Sequence, residues 1–497
     1  MERIASLRRE TGAALCAECG KCTSVCPLAA RGGFSARAIA CQHLDEEMQG
    51  EGLGIQRCLT CAACDLRCPQ GVRFTELVRG LRAVAGRAAS EADCPHGGAV
   101  QAIQRILAQG GARQDRLGWI TGDLRTHPEK GEVFFWAGCT MYFDAFFQDT
   151  GAATLEGTRA AVKVLNALGA TPVVSPEERC CGHDLLWNGD RENFEKLARH
   201  NVALVAGSGA KTLVVPCAEC LRTWKLDYAP YFQGAMPQVL HLSEFVLERR
   251  AGLRLSTTGR KRITYQDPCR LGRHLGLYDA PRTMLSAVPG VDLAEMPRSG
   301  PRAVCCAGGT WSHCDRYARE IQLDRLFEAR GTGAELLVTS CPKCQVHFLC
   351  AQQDVRSRDR VAIKIRDAAE VLAEALLYRT GTISRQGRVE DGTATLDFEP
   401  EEQKRHMSLS LAVTSLDDDV ILRRLVNLVQ SATRTTFWQG WGIHLVRGGW
   451  LYNIAGWDAV RITRRDGRVV LLGTDEPRRL KSAIERAQGQ RGERTRR

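Results

Sequence analysis

The stretch CAECGKCTSVCP at residues 16–27 returns as CLTCAACDLRCP at residues 58–69, and the doubled pattern decides the fold of the first part of the chain. Both copies space their cysteines as C-x2-C-x2-C-x3-C-P: Cys16, Cys19, Cys22 and Cys26 before Pro27, then Cys58, Cys61, Cys64 and Cys68 before Pro69. Such close spacing lets three thiolates of one tight loop hold three corners of a [4Fe-4S] cubane. Structural zinc takes its ligands as two separated pairs, which this run fits poorly.

Where two cubanes share one domain, the fourth cysteine of each run serves the other cluster. By that rule one cubane takes Cys16, Cys19, Cys22 and Cys68, and the second takes Cys58, Cys61, Cys64 and Cys26. The crossing ties distant parts of the chain together. Between the runs, Ile39, Leu44 and Met48 repeat at helical spacing and predict a helix over 35–48, with Cys41 on it as a small core residue. Phe74, Leu77, Val78 and Leu81 predict another. Residues 1–90 thus read as an α-helical two-cluster ferredoxin-like domain, followed by a helical connection over 91–130.

Ten further cysteines form one five-membered set twice: Cys139, Cys180, Cys181, Cys217, Cys220, and Cys269, Cys305, Cys306, Cys341, Cys344. Their surroundings repeat as well. Strand-like runs 133–136 and 263–265 lead to the first cysteine, apolar runs 171–174 and 291–293 precede the adjacent pair, and runs 212–215 and 336–339 end at Cys-x2-Cys. Strands alternating with helices predict parallel α/β layers over 131–260 and 261–380, with the cysteines at the C-terminal strand ends, where ligand sites collect. A cubane needs four thiolates. Five, two of them adjacent, imply another cluster shape. Gly138, Gly182, Gly308 and Gly309 either let the backbone approach a bulky cluster or serve as plain turn residues.

The pattern Cys-x(35–40)-Cys-Cys-x(34–35)-Cys-x2-Cys, twice, resembles the CCG domains of the heterodisulfide reductase catalytic subunit, and the ferredoxin part resembles that enzyme's small iron–sulfur subunit. Fused in this order, residues 10–380 are similar to the fused, membrane-associated form of the enzyme. The resemblance implies a noncubane [4Fe-4S] cluster on each five-cysteine set, the two facing each other across a pocket where a disulfide is cleaved, and cubanes that deliver electrons singly. One departure stands out: Cys180-Cys181-Gly182 in the first copy becomes Cys305-Cys306-Ala307 in the second. The added methyl disfavours a positive φ there and bears on the substrate pocket rather than on the ligands. His183 and His313 follow the pairs as candidate proton donors, with surface or capping roles the plainer reading; Lys343 reads as a cluster counter-charge or a solvated lysine. Cys314 follows the second pair with His313 and shares its two readings, while Cys94 and Cys350 have no partner at ligand spacing and read as structural or spare.

The whole chain bounds these readings. Its 497 residues suit about three or four domains of roughly 100–200 residues. Twenty-two cysteines, with no signal-peptide apolar core in MERIASLRRETGAAL, point to a reducing compartment and metal ligation. No apolar run reaches the ~18 residues of a membrane span, so the expected location is cytoplasmic, or peripheral at the inner face of the membrane. The formal charge of +11 counts every thiol as neutral, which ligation reverses; nucleic-acid binding is therefore not expected, and the basic end 491–497 reads as a solvated tail.

After a linker at 381–406, residues 407–490 lack cysteine and show alternating runs at 409–413, 437–446, 450–454, 459–463 and 469–472, a hairpin signal at Asp466-Gly467, and a final helix carrying Leu480 and Ile484. This predicts a small antiparallel β domain closed by one helix. Its second half resembles bacterial PH-like domains, with Trp438, Trp441, Trp450 and Trp457 as core or as a protein-docking surface. No G-x-G-x-x-G follows a strand and opens a helix, so no flavin site of its own is expected. Electrons would come from a flavoprotein or from a membrane cytochrome b with a quinone pool, and go to a disulfide. The alternative is an electron-transfer subunit of a dehydrogenase–quinone complex without disulfide chemistry.

Overall fold

The computed structural model describes residues 2–32, 34–41, 54–91, 95–111, 114–253, 255, 260–312, 314–379, and five strands between 428 and 474. The chain divides into two compact units, the second comprising Leu411–Arg497 with His96–Ala99.

The N-terminal part is helical, as its spacing predicts. Helices Glu2–Glu10, Lys21–Ser24, Ala36–Cys41 and Phe74–Glu91 surround a small core of Ile39, Ile55, Phe74, Leu77, Val78 and Leu81. The four apolar residues picked at helical spacing on Phe74–Glu91 are all buried. Leu44 and Met48 lie outside the described residues.

The two middle units repeat one topology. In the first, β1 (Val133–Phe135), β2 (Thr212–Val215) and β3 (Gln238–His241) run parallel in that order, with Val173 bridging the outer side of β1 at Phe134. In the second, β4 (Lys261–Gln266), β5 (Val291–Leu293), β6 (Leu336–Thr339) and β7 (Lys364–Asp367) are parallel in the order β5-β4-β6-β7. The central strands are apolar runs covered on both faces, as parallel strands are; Phe134, Phe135, Leu213, Leu337 and Val338 are all fully buried. Each unit has one strand outside the runs its sequence pattern marks. β3 and β7 are four-residue strands of mixed polarity, QVLH and KIRD, that run straight into a helix. The run 171–174 contributes only the Val173 bridge rather than a strand. A single buried cluster includes Val162 and Leu165 from the first unit with Ile263 and Leu372 from the second, so the two share a core.

The C-terminal unit is a five-stranded sheet, β8 (Leu428–Arg434), β9 (Gly442–Val446), β10 (Gly449–Asn453), β11 (Asp458–Thr463) and β12 (Val469–Thr474), in the order β8-β11-β12-β10-β9. The expected all-antiparallel arrangement is corrected here, because β10 pairs with β12 in parallel. The hairpins β9–β10 and β11–β12 are each antiparallel. In an up-and-down chain alternate strands point the same way, and β11 sits beyond β12 against β8, which leaves β12 to meet β10. β8 has no counterpart among the expected runs. The run 409–413, the closing helix and Trp438, Trp441 and Trp457 fall outside the described residues, and no comparison supports the PH-like resemblance.

Candidate iron–sulfur centres

Every five-cysteine set gathers at the C-terminal ends of its parallel strands, where helices begin. Cys217 caps the helix Ala218–Arg222 and Cys341 caps Pro342–Gln352, which turns each Cys-x2-Cys onto one helical end. Within the first set the thiols touch in the sequence Cys139–Cys180–Cys181–Cys220–Cys217, with Sγ–Sγ distances of 3.0 Å for Cys139–Cys180 and 3.4 Å for Cys181–Cys220. The second set repeats it as Cys269–Cys305–Cys306–Cys344–Cys341. Cys217 of the first set lies beside Cys341 of the second. Cys305 of the second set lies near Cys61 of the ferredoxin-like part and lines one cleft with it.

The eight ferredoxin-run cysteines divide by burial. Cys58, Cys61 and Cys64 are buried and line one cavity together with Cys26, from the other run. Cys16, Cys22 and Cys68 are half-buried and Cys19 is exposed. Cys41 lies 3.6 Å from Cys16, Sγ to Sγ, so it borders this outer group and is not simply a core residue. An open cleft of about 660 Å³ runs from Cys26 and Cys61 to Cys305, walled by Arg31, Arg67, Arg273 and Arg302.

The donor sets fit iron–sulfur clusters on chemical grounds. Each group gathers four or five thiols, with the Asp65 carboxylate 3.3 Å from Cys64 Sγ, and a buried thiol resists ionisation unless a cation takes its charge. Burial pushes Cys26 up to about 11 and Cys58 up to about 12. The indole N–H of Trp136 is buried without an acceptor among the described residues and lies beside Gly138 and Cys220, a free donor where a cluster sulfur would sit. Of the four glycines flanking the sets, Gly138 faces the thiols: at φ +70°, its added Cβ would stand 3.2 Å from Cys220 Sγ. Gly182, also at +70°, would press instead on Leu197 and Phe194, and Gly308 on His347 and Lys343.

Between the two sets lies a buried polar group where the sequence pattern suggests surface residues. Lys343 bonds Asp184 at 2.5 Å and Glu219 at 2.9 Å. His183 is buried; its Nε2 accepts from Arg270 Nε at 3.1 Å, and Nδ1 lies 3.0 Å from Thr223 Oγ1. Burial, reinforced by the Arg270 and Lys343 charges, holds His183 well below the usual range. The surface reading of His183 and the solvated reading of Lys343 are therefore corrected. His313 and Cys94 lie outside the described residues; Cys314 is exposed and Cys350 half-buried. Glu219 and Lys343 hold the same place in the two repeats, CAEC at 217–220 and CPKC at 341–344. Opposite charges at equivalent positions signalled their pairing. Asp184, Arg82, Arg270 and Arg273 carried no comparable sign.

The chain carries a 4Fe-4S dicluster domain over residues 12–72 and two copies of the cysteine-rich CCG domain over 133–225 and 263–349, the domain set of an iron–sulfur electron-transfer protein. Among its relatives is a subunit of the dihydromethanophenazine:CoB–CoM heterodisulfide reductase of Methanosarcina mazei, 29% identical over 403 residues that span 73% of this chain and 94% of that one. The corresponding protein of Methanosarcina barkeri is 29% identical over 399 residues, 73% of this chain and 93% of the relative. The EtfAB:quinone oxidoreductase of Syntrophomonas wolfei is 27% identical over 344 residues, 64% of this chain but 46% of that longer protein. The chain is thus a redox protein similar to this heterodisulfide reductase component. Among the described residues no helix is long and apolar enough to cross a membrane.

Proposed function

We propose that the chain reduces a disulfide, or forms one from two thiols, with electrons supplied by a partner protein. Cys16, Cys19, Cys22 and Cys68 would hold an outer cubane, and Cys58, Cys61, Cys64 and Cys26 an inner one. Cys139, Cys180, Cys181, Cys217 and Cys220 would hold one noncubane cluster, and Cys269, Cys305, Cys306, Cys341 and Cys344 the other. Bound clusters supply one-electron chemistry and iron sites for sulfur. Reduction consumes two electrons and two protons and releases two thiols. The observation that carries this reading is the gathering of two complete five-thiol sets side by side, Cys217 near Cys341, with Cys305 lining one cleft with Cys61. The Lys343, Asp184 and Glu219 group clamps the two halves of that site.

The donor would be a flavoprotein or a membrane cytochrome b module, reached by peripheral association on the cytoplasmic side, with the C-terminal sheet as a docking module. Cys181→Ser and Cys306→Ser, each removing one ligand of a five-membered set, are expected to abolish a noncubane signal in electron paramagnetic resonance (EPR); unchanged spectra would sink the ligand assignment. Similarity to a quinone oxidoreductase favours a second reading, electron transfer without disulfide chemistry. Reduced viologen with a panel of disulfides separates the two: turnover supports the first, and none despite full iron content supports the second.

A further inference from the structure

Three guanidinium groups converge on the loop that carries Cys58 and Cys61. Arg82 donates to the carbonyls of Ile55, Gln56 and Cys58 at 2.9, 3.0 and 2.7 Å. Arg270 donates to the Thr60 carbonyl at 2.8 Å and its hydroxyl at 2.7 Å. Arg273 donates to the Cys61 carbonyl at 2.5 Å and the Ala303 carbonyl at 2.6 Å. Arg82 comes from the helix Phe74–Glu91, Arg270 and Arg273 from the one turn that follows β4, and they are 0%, 2% and 8% exposed. Among the described residues none has a carboxylate at ion-pair distance. Asp65, the acid nearest in sequence to this loop, bonds Thr75 and Cys64 instead.

Buried cations without anions are costly, and such groups are ordinarily paired. Burial pushes Arg82 down only to about 10, so it stays charged at neutral pH. The missing counter-charge is therefore negative and belongs at the thiols these arginines surround. No described side-chain cation bonds the backbone of the loop 13–22 that carries Cys16, Cys19 and Cys22.

We propose that Arg82, Arg270 and Arg273 direct electrons inward, by making the buried Cys58, Cys61, Cys64 and Cys26 site easier to reduce than the outer Cys16, Cys19, Cys22 and Cys68 site. This rests on the reading that both sites hold cubanes. Reduction adds one negative charge, which fixed buried cations favour and low dielectric amplifies. One electron leaves the outer site, which is oxidised, and arrives at the inner site, which is reduced; a flavin- or haem-bearing partner refills the outer one. Beyond the inner site, Cys305 lines the same cleft as Cys61 and Cys26, so the second CCG set receives electrons before the first. The arginines are positioning residues that need touch no substrate.

The test is a redox titration of the full-length, cluster-loaded protein followed by EPR. In the wild type, the cubane signal appearing at the higher potential should be broadened less by a soluble paramagnetic ion than the lower-potential signal, because Cys58, Cys61 and Cys64 are buried whereas Cys19 is exposed. The reverse order overturns the proposal without any variant. Arg270→Gln and Arg273→Gln, with iron and sulfide at wild-type levels, should lower the reduced-to-oxidised ratio of the protected signal about tenfold, or about 59 mV for one electron, and leave the other signal in place. Arg270→Lys, which keeps the charge, should shift it far less. An unmoved midpoint in both glutamine variants, or an equal shift in the lysine variant, overturns it. Wild-type protein that binds no stoichiometric iron and sulfide would instead refute the underlying cluster reading.

Discussion

Ala307 stands at φ +56°, in the left-handed region where its counterpart Gly182 sits at +70°. The second copy has kept the backbone of the first while giving up the residue that suits it. An L-residue held there costs roughly 1–2 kcal/mol, so Ala307→Gly is expected to stabilise the loaded protein by about 1 kcal/mol in anaerobic thermal denaturation, after the entropy that glycine gains when unfolded is counted. The substitution was legible in the sequence; the unchanged backbone was not, since a strained turn is held by its surroundings. His241 offers a second residue-scale test. Burial drives it down to about 4, and its ring lies 3.1 Å from the Pro216 carbonyl while taking the Ser243 N–H. The unfolded chain takes up a proton near the ordinary value of 6.5 and the folded chain does not until about 4. Stability from the neutral ring is therefore full above pH 6.5 and falls by about 1.4 kcal/mol per unit as pH drops toward 4. Melting temperatures across pH 7.5 to 5.5 should show the slope, and His241→Gln should flatten it.

At the scale of elements, the helix His183–Trp187 ends at Gly189, whose φ is +90° and whose added Cβ would lie 2.6 Å from the backbone of Arg82 and Ala83. This is backbone against backbone, so neither side can yield as a flexible side chain would. Gly189→Ala should cost about 3 kcal/mol, combining the conformational and steric penalties, measured as a lower urea midpoint with an unchanged slope. The same contact brings the Trp187 carbonyl to Arg82 at 3.0 Å. Elements with a strong period were readable in advance: the helix begun by Phe74, Leu77, Val78 and Leu81, and the strands leading to each Cys-x2-Cys. The short strands β3 and β7 were not, because four residues of mixed polarity have no period and owe their extension to the neighbouring strand. The parallel pairing of β10 with β12 was hidden for a related reason: strand direction follows from the chain, but strand order follows from which faces the sheet must cover.

Across the whole molecule, Lys343 binds the second CCG unit to Asp184 and Glu219 of the first in a dry setting. Removing one partner of a buried charge group leaves the others uncompensated, so Lys343→Met should lower stability by about 3–5 kcal/mol. Adding Asp184→Asn and Glu219→Gln should recover part of that loss in a mutant cycle, and strictly additive losses would show that the three do not act together. The sequence by itself determined the thiol inventory, its partition into two four-membered and two five-membered groups, the repeat, and the parallel α/β class, because ligand spacing and hydrophobic period are local properties of a chain. Only the tertiary structure decided that Cys305 rather than Cys180 meets Cys61, that Cys217 faces Cys341, and that Arg82, Arg270 and Arg273 surround one loop. Those partners are far apart in the chain, and a buried charge reveals its role only once folding has shown what lies around it.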